Sequence, residues 1–389
     1  MRKFLALALA LCATPVLAQG PVTQGVVAPK GSVPPPPPLT PPLPTPASLA
    51  PLTRIQTYGP PPSVIRCEGR DVRVIESAPF HPDVNVRYVA SGAKPSSGDQ
   101  PASALVFAVD AKGAPIDIRR APNAQADQNL IASFARWRFA PGQAAAGCRL
   151  EVPQTFTPLA KAPTAILLEH IATRKREASP VVRAALSARG DCGKAPRRAP
   201  ALISYPDLRR FDDRDFAGAW AGVLYDIDAE GVVRNVRIAA QGGDPVLADQ
   251  AAFAIAESRF QSGKPVKGCY GVQAARPRPT DAPPRTPTKP IKRPEIACRV
   301  ERAALNLSLD KAYPVPFARE RVEGWALLQF DITPEGRIWP IEILGAQPVE
   351  TFGLAARSML YKARPDRSVW GQKGCLIPVT FAIPDIVED

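Results

Sequence analysis

Three times in this 389-residue chain, a run of alternating apolar residues reaches a polar turn containing glycine and starts back: "FAVDAKGAP" at 107–115, "YDIDAEGVV" at 225–233 and "FDITPEGRI" at 330–338. Period-two alternation buries one face of a strand and exposes the other. Here the buried positions are Leu105, Phe107 and Val109, then Val223, Tyr225 and Ile227, then Leu328, Phe330 and Ile332. Gly113, Gly231 and Gly336 suit the positive φ of a short hairpin. The returning strand is clear in the second copy (Val233, Val236, Ile238) and the third (Ile338, Ile341, Ile343). In the first copy Pro115 and Arg120 weaken it, which predicts a short or edge strand.

Each hairpin sits inside a longer repeated pattern. A cysteine opens the copy and a Pro step follows, at His81-Pro82, Tyr205-Pro206 and Tyr313-Pro314. Proline fits the first helical turn, where its missing N–H is not needed, so a short helix is expected after each step. After the hairpin comes a stretch of helical period, as in Leu130, Phe134 and Trp137, or Leu247, Ala251 and Ile255. Gly-Cys and a short extended run then close the copy. The expected fold is α+β: three repeated small domains, each an antiparallel sheet of about three strands with two helices on one face. Their bounds are 63–158, 191–275 and 297–385. Between the first two, at 159–190, the spacing of Ile166, Leu167, His170 and Ile171 predicts a connecting helix.

The repeat also assigns the cysteines. One of the seven, Cys12, lies in the leader, and the remaining six form an even set with no short-spaced Cys/His cluster to suggest a metal. Each copy holds one at its start and one at its last strand, giving Cys67–Cys148, Cys192–Cys269 and Cys298–Cys375. Closing loops of about 80 residues is worth about 4 to 5 kcal/mol in chain-entropy models.

Met1-Arg2-Lys3, an apolar stretch to Ala13 and the small residues ending at Ala18 read as a signal peptide at 1–18. The apolar run is shorter than the roughly 18 to 20 residues that span a bilayer. A periplasmic address follows, and an oxidising compartment suits the cysteines. An uncleaved leader anchoring the chain in the inner membrane is the alternative. Without the leader, 47 basic residues face 36 acidic ones, a formal charge of +11. That surplus favours anionic partners such as lipid head groups or peptidoglycan, while the address argues against nucleic acid. Residues 19–62, with "PPPPPLTPPLPTP", and the basic stretch 276–296 read as proline-rich spacers, because proline removes donors and favours extended chain.

The third copy, with Tyr313-Pro314, Glu323-Gly324, the hairpin ending at Gly336 and a helix leading to Pro365, resembles the carboxy-terminal domain of the TonB energy-transducer family. "WRFAP" at 137–141 resembles that family's end-of-helix motif, and Tyr361 and Ala363 stand at the corresponding places of the third copy, with Ser258 in the second. The resemblance implies a sheet edge that receives a short peptide from outer-membrane receptors by strand addition. Its counterpart here is the last strand, Leu376, Ile377, Val379, Thr380 and Phe381, in which Pro378 removes one donor. The family's motor-coupling helix has no counterpart in a cleavable leader, and the cysteine pairs are not part of its usual pattern.

Two functions remain on this reading. One is a periplasmic, non-enzymatic protein that binds peptide segments of envelope or receptor proteins, with a part in TonB-dependent transport. The other is a structural envelope protein that holds cell-wall polymer through its basic surface. The mature chain has only His81 and His170, and no nucleophile motif, phosphate loop or metal-ligand cluster from which to assemble a catalytic site, so neither enzyme activity nor a cofactor is expected.

Overall fold

The computed structural model describes residues 49–90, 103–124, 126–193, 198–285, 289–290, 298, 300–307 and 312–383. The leader and the polyproline run lie outside them. In chain order the first strands are β1 (Leu49–Tyr58), β2 (Val64–Cys67), β3 (Arg70–Glu76), β4 (Asp83–Ala90), β5 (Ser103–Val109) and β6 (Pro115–Arg120). Helix α1 (Gln128–Ala135), β7 (Arg138–Phe139), β8 (Ala145–Val152), β9 (Gln154–Pro158), α2 (Thr164–Arg174) and α3 (Pro180–Ser187) follow. Next come β10 (Pro200–Leu202), β11 (Trp220–Ile227), β12 (Val233–Gly242), α4 (Pro245–Glu257), β13 (Arg259–Phe260) and β14 (Val266–Ala274). The last elements are α5 (Val315–Arg319), β15 (Gly324–Ile332), β16 (Ile338–Gln347), α6 (Glu350–Lys362) and β17 (Cys375–Phe381).

The architecture is mixed α+β, built from small antiparallel sheets. Each hairpin forms a three-stranded sheet with the last strand of its copy, in the orders β6-β5-β8, β12-β11-β14 and β16-β15-β17. The register is shared: Phe107 faces Cys148, Tyr225 faces Cys269 and Phe330 faces Cys375. Gly113, Gly231 and Gly336 all take positive φ, and a side chain at either of the first two would collide with a backbone carbonyl, of Phe139 or Phe260. The returning strand β6 has six residues against ten in β12 and β16, as Pro115 led us to expect. Disulfides join Cys67 to Cys148, Cys192 to Cys269 and Cys298 to Cys375.

Residues 48–389 form one compact unit. Its largest core mixes the first copy with the third, running from Ile65 and Trp137 to Phe317, Phe352 and Phe381. The edge of β6 meets the start of α6 through an Ile118–Val349 bridge, and Asp117 and Gln347 exchange two hydrogen bonds of 2.9 and 2.8 Å. The second copy is fixed by different contacts. Ile55 of β1, with Leu167, Leu168 and Ile171 of α2, packs on Ala239, Tyr270 and Val272 of its sheet. Arg136, fully buried at the end of α1, donates to the carbonyls of Arg278, Glu320 and Phe216, and thereby touches all three copies. Burial pulls its pKa down to about 10, so it still carries charge at neutral pH.

Several expectations need correction. His81-Pro82 leads into strand β4, not a helix, because the alternating run from Asp83 pairs along β1. Tyr205-Pro206 is followed by a single turn of 3-10 helix, Leu208–Arg210; only Pro314 opens an α-helix, α5. The end of the segment read as an amino-terminal spacer, Leu49–Tyr58, is the central strand of the sheet β4-β1-β9. Past its prolines that stretch brings Ile55 and Gln56 into the interior, Ile55 fully buried. Residues 276–285, read as spacer, are packed down: Arg276 donates to the Asp212 carboxylate of the second copy at 3.0 Å, and further on Thr280 bridges Val322 of the third and the Trp325 indole N–H donates to the Pro283 carbonyl at 2.9 Å. Proline carbonyls still accept hydrogen bonds, so such a segment can cover a sheet face. Finally, the second sheet has helices on both faces. Gly222 faces Leu168 of α2, while its neighbour Val223 packs with Ala248 and Ala251 of α4. The stretch expected to be a connector is therefore part of a core.

Candidate functional site

The predicted peptide-receiving strand β17 lies at the edge of its sheet, paired on one side with β15. Its side chains alternate. Ile377, Val379 and Phe381 are buried in the core, while Leu376 and Thr380 are half-buried and Pro378 is exposed on the other face. Three of the five predicted residues thus hold the strand in place, and only its backbone edge is on offer. Proline is tolerated within a ladder where its missing donor points away from the neighbour. Pro378 stands opposite Leu327 without a register break, so the backbone groups of Leu376, Pro378 and Thr380 face outward. Among the described residues that edge meets a backbone bridge at Cys375, from Cys298, and the Arg285 guanidinium donating to the Thr380 hydroxyl.

The motif residues that carried the resemblance gather at the exit of this strand. The Tyr313 hydroxyl donates to the Val322 carbonyl at 2.6 Å, and its ring meets Phe352 and Phe381 edge-on. Burial and the nearby Glu323 carboxylate push the Tyr313 pKa well up, keeping the phenol protonated. Glu323 accepts the Ile383 N–H at 2.9 Å. Gly324 lies opposite Phe381, where any side chain would enter the Phe352 ring. Pro314 precedes α5, and Trp370 covers Gly336. These residues fix the direction of β17.

A large concavity lies elsewhere, in the second copy, and was missed from sequence. A cleft of about 950 Å³ opens beside the Cys192–Cys269 disulfide. Its apolar lining is Ile203, Tyr225, Ile227, Phe260, Val266 and Tyr270. The Tyr225 and Phe260 rings are stacked with centroids 6.4 Å apart, and both are only half-buried. Arg198 also lines it, but its guanidinium donates to the carbonyls of Asp228 and Lys264. The cleft is therefore an apolar, aromatic-walled opening of the size that takes small ligands or peptide side chains.

Sequence reading also misplaced the end-of-helix motif in the third copy by two residues. Arg138, Arg259 and Arg364 each donate to carbonyls at the end of the preceding helix, at 2.8 Å to Trp137, 2.8 Å to Ala256 and Ser258, and 3.1 Å to Ala363. A cation there satisfies orphan carbonyls and opposes the helix dipole. Trp137, Ser258 and Ala363 therefore correspond, and Tyr361 points to solvent, 70% exposed. The arginine common to "WRF", "SRF" and "ARP" was the available signal.

Both histidines are engaged internally. His81 Nδ1 lies 3.1 Å from Glu169. His170 Nδ1 donates to the Pro82 carbonyl at 3.0 Å, and its Nε2 accepts the Ser179 N–H at 3.2 Å. Among the described residues no helix is long and apolar enough to cross a membrane. No protein-family model, curated protein or solved structure matches this chain.

Proposed function

We propose that the chain is a non-enzymatic periplasmic protein of TonB-like design, made of three copies of one disulfide-closed unit, that holds extended peptide segments of envelope or outer-membrane receptor proteins by strand addition. The observation that carries this reading is the edge position of β17 together with its alternating burial. A strand anchored by one face, whose outward edge meets among the described residues the Cys298 bridge at Cys375 and no further ladder, is a template for a further strand. The matching registers at Cys148, Cys269 and Cys375 support a single ancestral unit.

The test is calorimetric titration of the oxidised mature chain, residues 19–389, with TonB-box peptides. The whole chain is required, because the core of the third copy is continuous with that of the first. Thr380→Pro removes one outward donor at a position equivalent to the tolerated Pro378, so the fold should survive. Saturable binding that weakens about tenfold in the variant, the loss of roughly one hydrogen bond, supports the reading. Absence of binding to the folded chain, with sedimentation on peptidoglycan at low salt, would replace it with a structural envelope role.

A further inference from the structure

The cleft of the second copy has a filled counterpart in the first. Taking the cysteines as equivalent, Ile65 stands two residues before Cys67 and Gly190 two residues before Cys192. Val74 pairs with Phe139 as Pro200 pairs with Phe260, so Val72 corresponds to Arg198. In the first copy Ile65 and Val72 face each other across the β2–β3 hairpin and are 3% and 0% exposed. They belong to one core with Phe107, Val109, Phe139 and Cys148, all of which are closed off from solvent. In the second copy both plugs are missing. Gly190 lies so close to the Gly268 carbonyl that no side chain fits, and Arg198 turns its guanidinium away to backbone carbonyls. Their absence leaves Tyr225 and Phe260, the counterparts of Phe107 and Phe139, as walls of the cleft.

We propose that this cleft is a second peptide site, which takes an extended segment from a partner whose bulky aliphatic side chains fill the places of Ile65 and Val72. It rests on the reading of the chain as a peptide binder, and it assigns a different place and a different chemistry from the edge of β17. Strand addition at an edge is largely blind to side chains; an aromatic-walled pocket selects them. Among the described residues the lining carries one charged side chain, Arg198, already bound to two carbonyls, which suits uncharged entering side chains. The occupant is polypeptide because that is what fills the same space in the first copy. In the second copy the chain runs beside β14 in a shifted register: the Asp191 N–H, two residues before the place of Glu68 by the cysteine alignment, reaches the Lys267 carbonyl at 2.8 Å, whereas in the first copy the Glu68 N–H reaches the Ala146 carbonyl on β8.

The probe is a fluorescein-labelled peptide of residues 63–74, "SVIRCEGRDVRV", carrying Cys67→Ser, added to the oxidised mature chain and followed by fluorescence anisotropy. Saturable binding is expected, with at least a tenfold loss when the peptide carries Ile65→Ser and Val72→Ser. In the protein, Ala199→Trp fills the cleft and Ile203→Asp places a charge in its wall; Ile203 is 41% exposed, so the second change leaves the core intact. Either should weaken binding tenfold or more, whereas Thr380→Pro should leave it unchanged. No saturable binding to the folded chain overturns the proposal, as does equal binding of the serine peptide or of Ile203→Asp. Because the probe and the variants differ from those for β17, a chain can fail at one site and pass at the other.

Discussion

The first and second copies share strand order, register, turn glycines and disulfide position, yet one is packed shut and the other is not. In the first, Trp137 is fully buried, stacked on Phe80 at 5.3 Å and tilted against Phe134 at 5.1 Å, with its indole N–H on the Ala78 carbonyl. In the second, Ser258 stands at that place, and its hydroxyl accepts the Ser204 N–H at 3.2 Å. The same backbone frame is held by an aromatic cluster in one copy and by a few polar contacts, α2 and small apolar clusters in the other. The difference teaches that the frame does not need the aromatic cluster. A copy without that cluster can keep its fold, provided another element covers the opposite face.

The largest effect should come from the aromatic cluster itself. Trp137→Ala should cost about 3–5 kcal/mol, the usual range for a buried tryptophan, whereas Phe260→Ala, half-buried on the cleft wall, should cost about 1 kcal/mol. Urea unfolding of the two variants checks this, and equal losses would break the contrast between a closed and an open copy.

The seam to the second copy should also be the pH-sensitive one. Burial, helped by the Arg174 and Arg183 charges, lowers the His170 pKa below its ordinary value, outweighing the Pro82 carbonyl and Asp83, which raise it. The unfolded chain therefore takes up the proton first as pH falls below about 6.5. Stability is complete above that pH and declines below it, by at most about 1.4 kcal/mol per pH unit, until the folded-state pKa is passed. Protonation also removes the Nε2 acceptor of the Ser179 N–H. Melting curves between pH 7 and pH 5 should show the decline, and His170→Gln should flatten it.

The smallest effects should be the most alike. Arg138→Ala, Arg259→Ala and Arg364→Ala each remove a cation from a helix end, which costs about 0.3–1 kcal/mol when exposed. Similar losses in thermal melts would sharpen the equivalence of the three copies at this point. A loss confined to one arginine would break it.

Much of the frame was legible in the residues. Alternation at Phe107, Tyr225 and Phe330 marked the strands, the turn glycines marked the hairpins, and one cysteine at each end of a copy selected the disulfides. These signals are local or tied to the repeat. The failures came where a segment acts on a distant partner. His81-Pro82 became a strand because β1 was there to pair with, and the residues from Thr280 to Pro283 became a cover because Trp325 needed one. Of the candidate sites, the edge position of β17 was foreseen. The cleft was not, since it is made by what Gly190 and Arg198 fail to fill.

The sequence by itself determined three hairpins, their closing strands and their cysteine pairs, because period, turn chemistry and repeat spacing are written along the chain. The tertiary structure alone decided that the first and third copies share a core, that α2 covers the second sheet, and that one copy is left open. Those outcomes depend on which apolar faces meet and on how much volume each side chain brings to the meeting, and neither quantity is carried by any local pattern.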